Sequence, residues 1–322
     1  MTRTQTRLIG CAIAGLVIVG GSQGHDAVSA AGQDTLSSGL VSPLLLDLNQ
    51  RLAGGNLEIE KVEFQVDAAR WNGSAIEIYA RDHTHTLPSQ FVPNDLRRTW
   101  SLPNSITYLA DQSDGEAYLL HGILPNAITE AAIDRSMARW QSQPSCPGPA
   151  VVKVADSGAD PDIMDGLVFR NRALVGTPFA DITHAGWVDP AFFGDGFDYV
   201  VAATVTFIFV DDVTRRPTDI DRNGRYDVAV REIYYNKWFA FADGAVPFSA
   251  NLDSIITHEA GHGFGLGHFG MTFSNGPLQP DFSNLKFAPL AVMNALYVAG
   301  TIRADLEGTD ISSFCQIWAR AH

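Results

Sequence analysis

The segment from His258 to His268 reads HEAGHGFGLGH and constrains this chain more than any other part of the sequence. Residues four apart share a helix face, so His258 and His262 can point their ring nitrogens at one metal ion. Gly265 can end that helix in a left-handed conformation and turn the chain back, which brings His268 in as a third ligand. Glu259 lies beside the metal position, where it can act as a general base on a water molecule. Three protein ligands and one open position are typical of a catalytic zinc site.

A second candidate metal site lies in the acidic loop DIDRNGRYD, residues 219–227. Its spacing follows the first part of an EF-hand-like calcium loop, in which alternating side chains converge on one ion as the loop curls. Val230 stands where an EF-hand has its bidentate glutamate, so the alternative is a polar hairpin turn between two strands. The candidate calcium ligands are Asp219, Asp221, Asn223 and Asp227.

Composition and charge indicate a globular protein that does not bind nucleic acid. The chain has 322 residues, of which 46% are hydrophobic, enough for one large domain or two modest ones. Its formal net charge of −14 argues against a nucleic-acid partner, since such a partner favours a basic surface.

The N-terminus has the pattern of a secretion signal. Arg3 and Arg7 precede an apolar run from Leu8 to Gly21, which is too short for a comfortable membrane span. Small residues at 28–30 predict cleavage after Ala30, and an uncleaved anchor is the alternative. We therefore predict a signal peptide over residues 1–30 and a secreted protein, extracellular or periplasmic, with no stable membrane association.

The cysteines favour a single disulfide. Of the three in the sequence, Cys11 leaves with the signal peptide, and Cys146 and Cys315 form an even pair in an oxidising compartment. Two separate buried thiols are the alternative. Neither residue has ligand spacing to the histidine cluster, so both are left out of the zinc site.

The mature chain divides into a small leading α+β segment, residues 31–96, and a larger domain, residues 97–322. The leading segment is predicted to contain a helix over 40–52 and strands over 57–66 and 75–80. The larger domain mixes strands with helices. Its predicted strands cover 105–109, 151–154, 167–169, 204–210 and 231–235, and its predicted helices cover 126–143, 252–264 and 309–319. We expect Asn251 to cap the zinc helix.

The extended pattern HExxHxxGxxH is the signature of the metzincin clan, and other segments make the chain resemble the matrixin branch of that clan. The turn AVMN, which contains Met293, resembles the methionine turn beneath the metal. The run from Arg303 to Trp318, with Asp310, resembles the closing matrixin helix. The segment 232–241 and the helix with Trp140 are similar to the elements that precede the zinc helix. The resemblance covers roughly residues 97–320.

This resemblance implies an α+β catalytic domain with a twisted mixed sheet, an active-site helix and a C-terminal helix. It implies a secreted zinc endopeptidase, expected as a monomer, that cleaves protein or peptide substrates through a zinc-bound water with Glu259 as general base. Met293 and Gly265 would be structural, and residues 204–210 would pair as an edge strand with an extended substrate. The alternatives are a secreted metal-binding interaction protein with vestigial catalysis and a zinc amidase that acts on cell-wall material.

The chain departs from matrixins in three respects: the spacer from His268 to Met293 is longer, no stretch resembles the cysteine switch, and no stretch clearly resembles the structural-zinc loop. Residues 34–96 contain no cysteine, so a pro-segment there could not silence zinc with a thiolate. This segment could be a pro-segment, an inhibitor-like cap or an accessory domain. His184 is the one candidate for a structural zinc site, although a lone histidine beside Trp187 is more often a packed residue.

Overall fold

The structure is a computed structural model of the chain. It describes residues 41–82, 87–111, 116–119, 122–146, 148–160, 162–168, 178–194, 196–274, 276–280 and 282–318. The predicted signal peptide lies outside these residues, as does Cys11. No helix within the described ranges is long and apolar enough to cross a membrane.

The described helices are α1 (Pro43–Arg51), α2 (Asn126–Gln141), α3 (Ile163–Val168), α4 (Pro190–Phe193), α5 (Leu252–Gly263) and α6 (Gly308–Trp318). The strands of the first half are β1 (Leu57–Asp67), β2 (Glu77–Tyr79), β3 (Leu87–Gln90), β4 (Ser105–Ala110), β5 (Tyr118–Leu119), β6 (Gly122–Ile123), β7 (Ala150–Lys153) and β8 (Ile182–Val188). Those of the second half are β9 (Val200–Phe209), β10 (Arg225–Asn236), β11 (Phe241–Ala242), β12 (Ala250–Asn251), β13 (Met271–Ser274), β14 (Leu285–Ala288) and β15 (Leu296–Tyr297).

The main sheet is mixed and has the strand order β15-β1-β9-β10-β8-β4-β7, with β2 attached to β1 and β3 attached to β10. Strands β7, β4, β8 and β10 run parallel to one another. Strand β9 runs antiparallel to β10, and β1 runs antiparallel to β9. The twisted mixed sheet, with α5 and α6, confirms the predicted α+β class.

Each face of the sheet carries its own hydrophobic core. One core joins the sheet to α2, α5 and α6 and contains Trp140, Ile256 and Phe314. The other joins the opposite face to α1, α3 and α4 and contains Leu45, Ile163 and Phe193. Successive side chains of a strand point to opposite faces, so a strand buried on both faces contributes to both cores.

Helix α5, which carries His258 and His262, begins where the sequence predicts. Asn251 is its N-cap, and its side chain accepts a hydrogen bond of 2.9 Å from the backbone N–H of Ser254. Helix α2 packs alongside α5, and the indole of Trp140 donates to the carbonyl of Thr257 at 2.8 Å. This buried bond fixes the distance between the two helices at the level of the histidines.

The prediction of a strand over residues 167–169 is wrong for its described residues, because Leu167 and Val168 belong to helix α3. Both oxygens of the buried Glu232 carboxylate accept backbone N–H groups at the start of this helix, from Ile163 at 2.7 Å and Met164 at 2.9 Å. A partner on a distant strand therefore stabilises a helix in a sequence that by itself favours β structure.

The leading segment contributes to the same sheet as the rest of the chain. Its strand β1 is buried along its whole length and lies between β9 and β15. Strand β9 is therefore paired on both sides, so the expectation that residues 204–210 form an edge strand is wrong. Pairing between segments so far apart in sequence leaves no local pattern from which it could be predicted.

Candidate metal centre

The three predicted histidines converge on one point. The Nε2 atoms of His258 and His262 lie 3.0 Å apart, and that of His268 lies 3.2 Å from the first and 3.1 Å from the second. Tetrahedral zinc with Zn–N bonds of about 2.0–2.1 Å requires nitrogens roughly 3.3 Å apart. The triangle therefore has nearly the size that a single zinc ion needs.

The turn after α5 brings His268 to the helix. Gly265 has a φ of +100°, a left-handed conformation that favours glycine. Its N–H donates to the carbonyl of His262 at 2.8 Å, and that of Leu266 donates to the carbonyl of Gly261 at 3.0 Å. These bonds reverse the chain within one turn, as the sequence predicts.

The outer nitrogens of two histidines are held by backbone carbonyls. His258 Nδ1 lies 2.7 Å from the carbonyl oxygen of Val292, and His262 Nδ1 lies 2.7 Å from that of Leu266. A carbonyl only accepts, so both Nδ1 atoms carry the proton and both Nε2 atoms keep a free lone pair. Outer partners of this kind fix the tautomer and orientation of metal-binding histidines.

Glu259 lies on the same helix with its carboxylate fully buried. Its Oε2 accepts a hydrogen bond of 2.6 Å from the hydroxyl of Thr204 on β9, and its Oε1 has no hydrogen-bond partner. Burial raises the pKa of Glu259 to about 7. A carboxylate that titrates near neutrality and keeps one oxygen free suits a general base.

Met293, the predicted methionine of the turn, packs against helix α5. It is fully buried and packs so closely on Gly261 that a Cβ at that position would collide with the methionine sulfur and with the ring of Trp140. The close contact explains why the helix carries a glycine directly before His262.

Helix α6 supports this turn. The carboxylate of Asp310 accepts the backbone N–H groups of Val292 at 3.0 Å and of Met293 at 3.2 Å. A disulfide joins Cys315 of α6 to Cys146, which follows α2. The two helices that flank α5 are thus linked covalently, and the turn that supplies the carbonyl for His258 is anchored to one of them.

Two carboxylates that the sequence reasoning missed contact the outer side of the histidines. Glu63 Oε1 lies 3.3 Å from His262 Nδ1, and Glu77 Oε1 lies 3.4 Å from His268 Nδ1. Burial raises the pKa of Glu63, but nearby His262 and Lys61 outweigh it and the net shift is strongly downward. The only sequence signal for them is that acidic residues occur on the predicted strands 57–66 and 75–80, to which Glu63 and Glu77 belong, respectively.

The predicted calcium loop joins β9 to β10. Carboxylate oxygens of Asp219, Asp221 and Asp227 lie within 4.8 Å of one another. The loop also satisfies its own polar groups, since Asn223 Nδ2 donates to Asp221 at 3.0 Å and the N–H of Gly224 donates to Asp219 at 2.9 Å. This geometry suits both a cation site and the alternative, a polar hairpin turn.

A third acidic group, which the sequence reasoning missed, comes from separate segments. Oxygens of Asp111, Asp160 and Asp162 lie within 4.8 Å of one another. His184, the candidate for structural zinc, belongs to none of the possible metal groups in the described residues. It is buried on β8, and its Nδ1 hydrogen-bonds to the hydroxyl of Tyr235 at 2.8 Å. It is thus packed in the core.

Neither known protein families nor curated proteins match this chain in sequence comparisons. The geometry of the site is therefore the basis for assigning a function.

Proposed function

We propose that this chain is a secreted zinc-dependent endopeptidase similar to matrixins of the metzincin clan. The observation that carries the proposal is the convergence of three Nε2 atoms, 3.0–3.2 Å apart, beside a buried glutamate with one free oxygen. Such a centre leaves one metal position open, which distinguishes catalytic from structural zinc.

The donor set fits zinc in its chemistry as well as its spacing. His258, His262 and His268 would hold the ion, since neutral imidazole nitrogens suit Zn²⁺. When bound, zinc supplies Lewis acidity toward a water molecule and toward the carbonyl oxygen of the scissile peptide bond.

Glu259 would move the proton. Its free Oε1 accepts a proton from the attacking water and later delivers it to the departing amine. Thr204 holds the other oxygen, Oε2, through its hydroxyl at 2.6 Å, so the carboxylate stays in one orientation through both transfers. The buried surroundings keep bulk water away from the transferred proton.

Two further features support parts of this proposal. The disulfide between Cys146 and Cys315 is typical of proteins that fold outside the cytoplasm, in agreement with the predicted signal peptide. The oxygens of Asp219, Asp221 and Asp227 suit calcium, a hard cation that prefers carboxylate ligands. We therefore include a calcium site with Asn223 as the fourth side chain, and a monomer that acts on protein or peptide substrates.

The test compares the secreted wild-type protein with Glu259→Ala. We expect the wild type to carry zinc and to cleave casein or its own chain in a reaction that 1,10-phenanthroline stops. The variant should keep its zinc and lose about 10²–10⁴-fold in rate, as expected for loss of a general base. Mass spectrometry with and without chelator reports the mature N-terminus and any self-cleavage together.

Glu130→Ala is the matched control, because Glu130 is an exposed carboxylate on α2 that pairs with Lys153 far from the histidines. It should behave as wild type. If Glu259→Ala cleaves casein as fast as the wild type, the proposal is wrong. A cell-wall peptide among the substrates tests the amidase alternative, and intact zinc without cleavage of any substrate favours the interaction protein.

A further inference from the structure

The strand that carries Thr204 has its outer side occupied by the leading segment. Strand β9 is hydrogen-bonded to β10 on one side and, on the other, to β1 along nearly its full length. The pairing is antiparallel and runs from Leu57 opposite Phe209 to Val66 opposite Val200. The backbone groups with which β9 could bind an extended peptide are thus already used.

Strand β1 passes directly over the metal centre. Glu63 is the register partner of Thr204, the residue whose hydroxyl donates to Glu259. On the other side Glu63 pairs with Glu77 of β2, and these two carboxylates lie 3.3 and 3.4 Å from His262 and His268, respectively. The β1–β2 hairpin is therefore seated against two of the three histidines.

The far edge of β1 is held by the segment that follows the methionine turn. Strand β15 runs parallel to β1, with Val66 opposite Leu296 and Asp67 opposite Tyr297. It begins shortly after Met293. Strand β1 thus lies in a groove between β9 and β15. Strand β9 carries Thr204, which donates to Glu259, and β15 follows Met293 in the chain.

With β1 in this groove the centre is closed. His258, Glu259 and His262 are 0% exposed, and the side chain of His268 is 6% exposed. A peptide carbonyl cannot reach the free oxygen of Glu259 while these residues are covered.

We propose that β1 is an internal ligand of the peptide-binding groove that keeps most molecules latent, so the cleavage expected of the wild type comes from the minor fraction in which β1 has left the groove. This inference rests on the proposed function. An extended peptide and β1 would compete for the same backbone groups of β9, so substrate binds only after β1 leaves the groove. The mechanism needs no cysteine, in agreement with the absence of cysteine from residues 34–96.

Apolar contacts on the side of β1 that faces away from the histidines hold the strand in place. Val62 and Phe64 belong to the core that contains α1 and α4, and the ring of Phe64 lies 5.5 Å from that of Phe197. These side chains do not belong to the metal centre. Trimming them should loosen β1 without altering the histidines.

The test uses the full secreted chain loaded with zinc and a peptidyl hydroxamate as the probe, since a hydroxamate binds zinc whether or not the protein is catalytically active. The double variant Val62→Ala and Phe64→Ala should bind the probe about tenfold more tightly than wild type, because the open form becomes more populated. EDTA should also remove zinc faster. Val188→Ala is the matched control and should leave both readouts unchanged, because Val188 belongs to the same core but lies on β8, which β9 and β10 separate from β1.

A second variant locks the strand instead of loosening it. Val62 is the register partner of Val205, so Val62→Cys with Val205→Cys can form a disulfide between β1 and β9. The oxidised variant should bind the hydroxamate more weakly than wild type. This arm remains informative if the alanine variant does not fold.

The outcomes separate the two proposals. Equal hydroxamate affinity in the wild type and in every folded β1 variant would show that β1 is a fixed structural strand, which overturns the inference. If loosening β1 improves hydroxamate binding without any cleavage of peptides, latency by β1 holds and the proposed endopeptidase fails. If the chain takes up no zinc at all, both proposals are wrong.

Discussion

The histidine centre and the Asp219–Asp227 loop both derive from short continuous motifs, yet their surroundings differ. His258 and His262 are fully buried, and a backbone carbonyl holds the outer nitrogen of each. Asp219 and Asp221 are exposed, and they accept hydrogen bonds from the N–H groups of their own loop. Two candidate metal sites of similar sequence length are thus built on different physical principles.

The difference in burial determines how much free energy each site loses when no ion is bound. Buried polar groups cost free energy unless they are paired, so for three imidazoles and a carboxylate in a core we expect an ion to supply the compensation. Exposed carboxylates in a hydrated loop carry no such cost, and the loop can act as a turn with or without calcium. Zinc should therefore be integral to the first region, and calcium a modest addition to the second.

The largest effect should come from removing one ligand of each site. His262→Ala should lower zinc affinity by more than the 10–100-fold that loss of an outer-shell partner causes. Asp221→Ala should leave zinc binding unchanged. The measurement is zinc content after dialysis against a graded chelator. If His262→Ala retains as much zinc as the wild type, His262 is not a zinc ligand, and the two regions do not differ in their need for an ion.

The disulfide should support only the histidine centre. Replacing Cys146 and Cys315 with alanine should lower the free energy of unfolding by about 2–5 kcal/mol. Because α6 carries Asp310, which anchors the turn at Val292, the variant should also release zinc faster. Denaturant unfolding and the rate of zinc transfer to EDTA measure the two effects. An unchanged rate of zinc transfer would contradict the link between α6 and the metal centre.

Much of the histidine centre could be predicted because its ligands and their turn lie in one short segment. Helical spacing places His258 and His262 together, and Gly265 supplies the turn to His268. The resemblance added Met293, which the structure puts against Gly261. These relations depend on local geometry, which the sequence contains.

The surroundings of the centre could not be predicted, because they depend on pairing between distant segments. Strand β1 pairs with β9 across much of the chain, and Glu63 and Glu77 reach the histidines only through that pairing. Strand β8 carries the polar residues Thr183 and His184 and is nevertheless buried along its length, between β4 and β10. Helix α3 forms where Glu232 caps it. These contacts join distant segments, so no pattern of neighbouring residues predicts them.

A glycine test addresses the close contact beneath the histidines. Gly261→Ala should place a Cβ against Met293 and Trp140 and cost about 1–3 kcal/mol by overpacking. Displacement of the methionine turn should also weaken zinc binding. Gly54→Ala is the control, because a Cβ at Gly54 would meet nothing within 4 Å. If both variants unfold at the same denaturant concentration as wild type, Met293 and Trp140 do not pack closely on Gly261.

Acid should weaken the core on which the histidine centre rests. Burial lowers the pKa of His184, packed in that core, to about 3. The unfolded chain binds a proton near pH 6.5 while the folded chain does not, so stability present above pH 6.5 is lost as pH falls toward 3. At pH 5 the loss should be about 2 kcal/mol. His184→Gln should show a flatter decline in unfolding free energy between pH 6.5 and 5, and an equal slope would contradict this origin.

The smallest effect should come from calcium at the exposed loop. Calcium at ten times its Kd should stabilise the wild type by about 1.4 kcal/mol, a rise in Tm of a few degrees. Asp219→Asn removes a charge from the ligand set and should abolish that rise without altering zinc content. Calorimetry of the zinc-loaded protein with and without calcium makes the comparison. A wild-type Tm that does not respond to calcium would identify the loop as a hairpin turn that satisfies its own carboxylates. The histidine centre would then be a metal site and the Asp219–Asp227 loop a turn. Hydrogen bonds within the loop would already give its carboxylates the partners that an ion would supply.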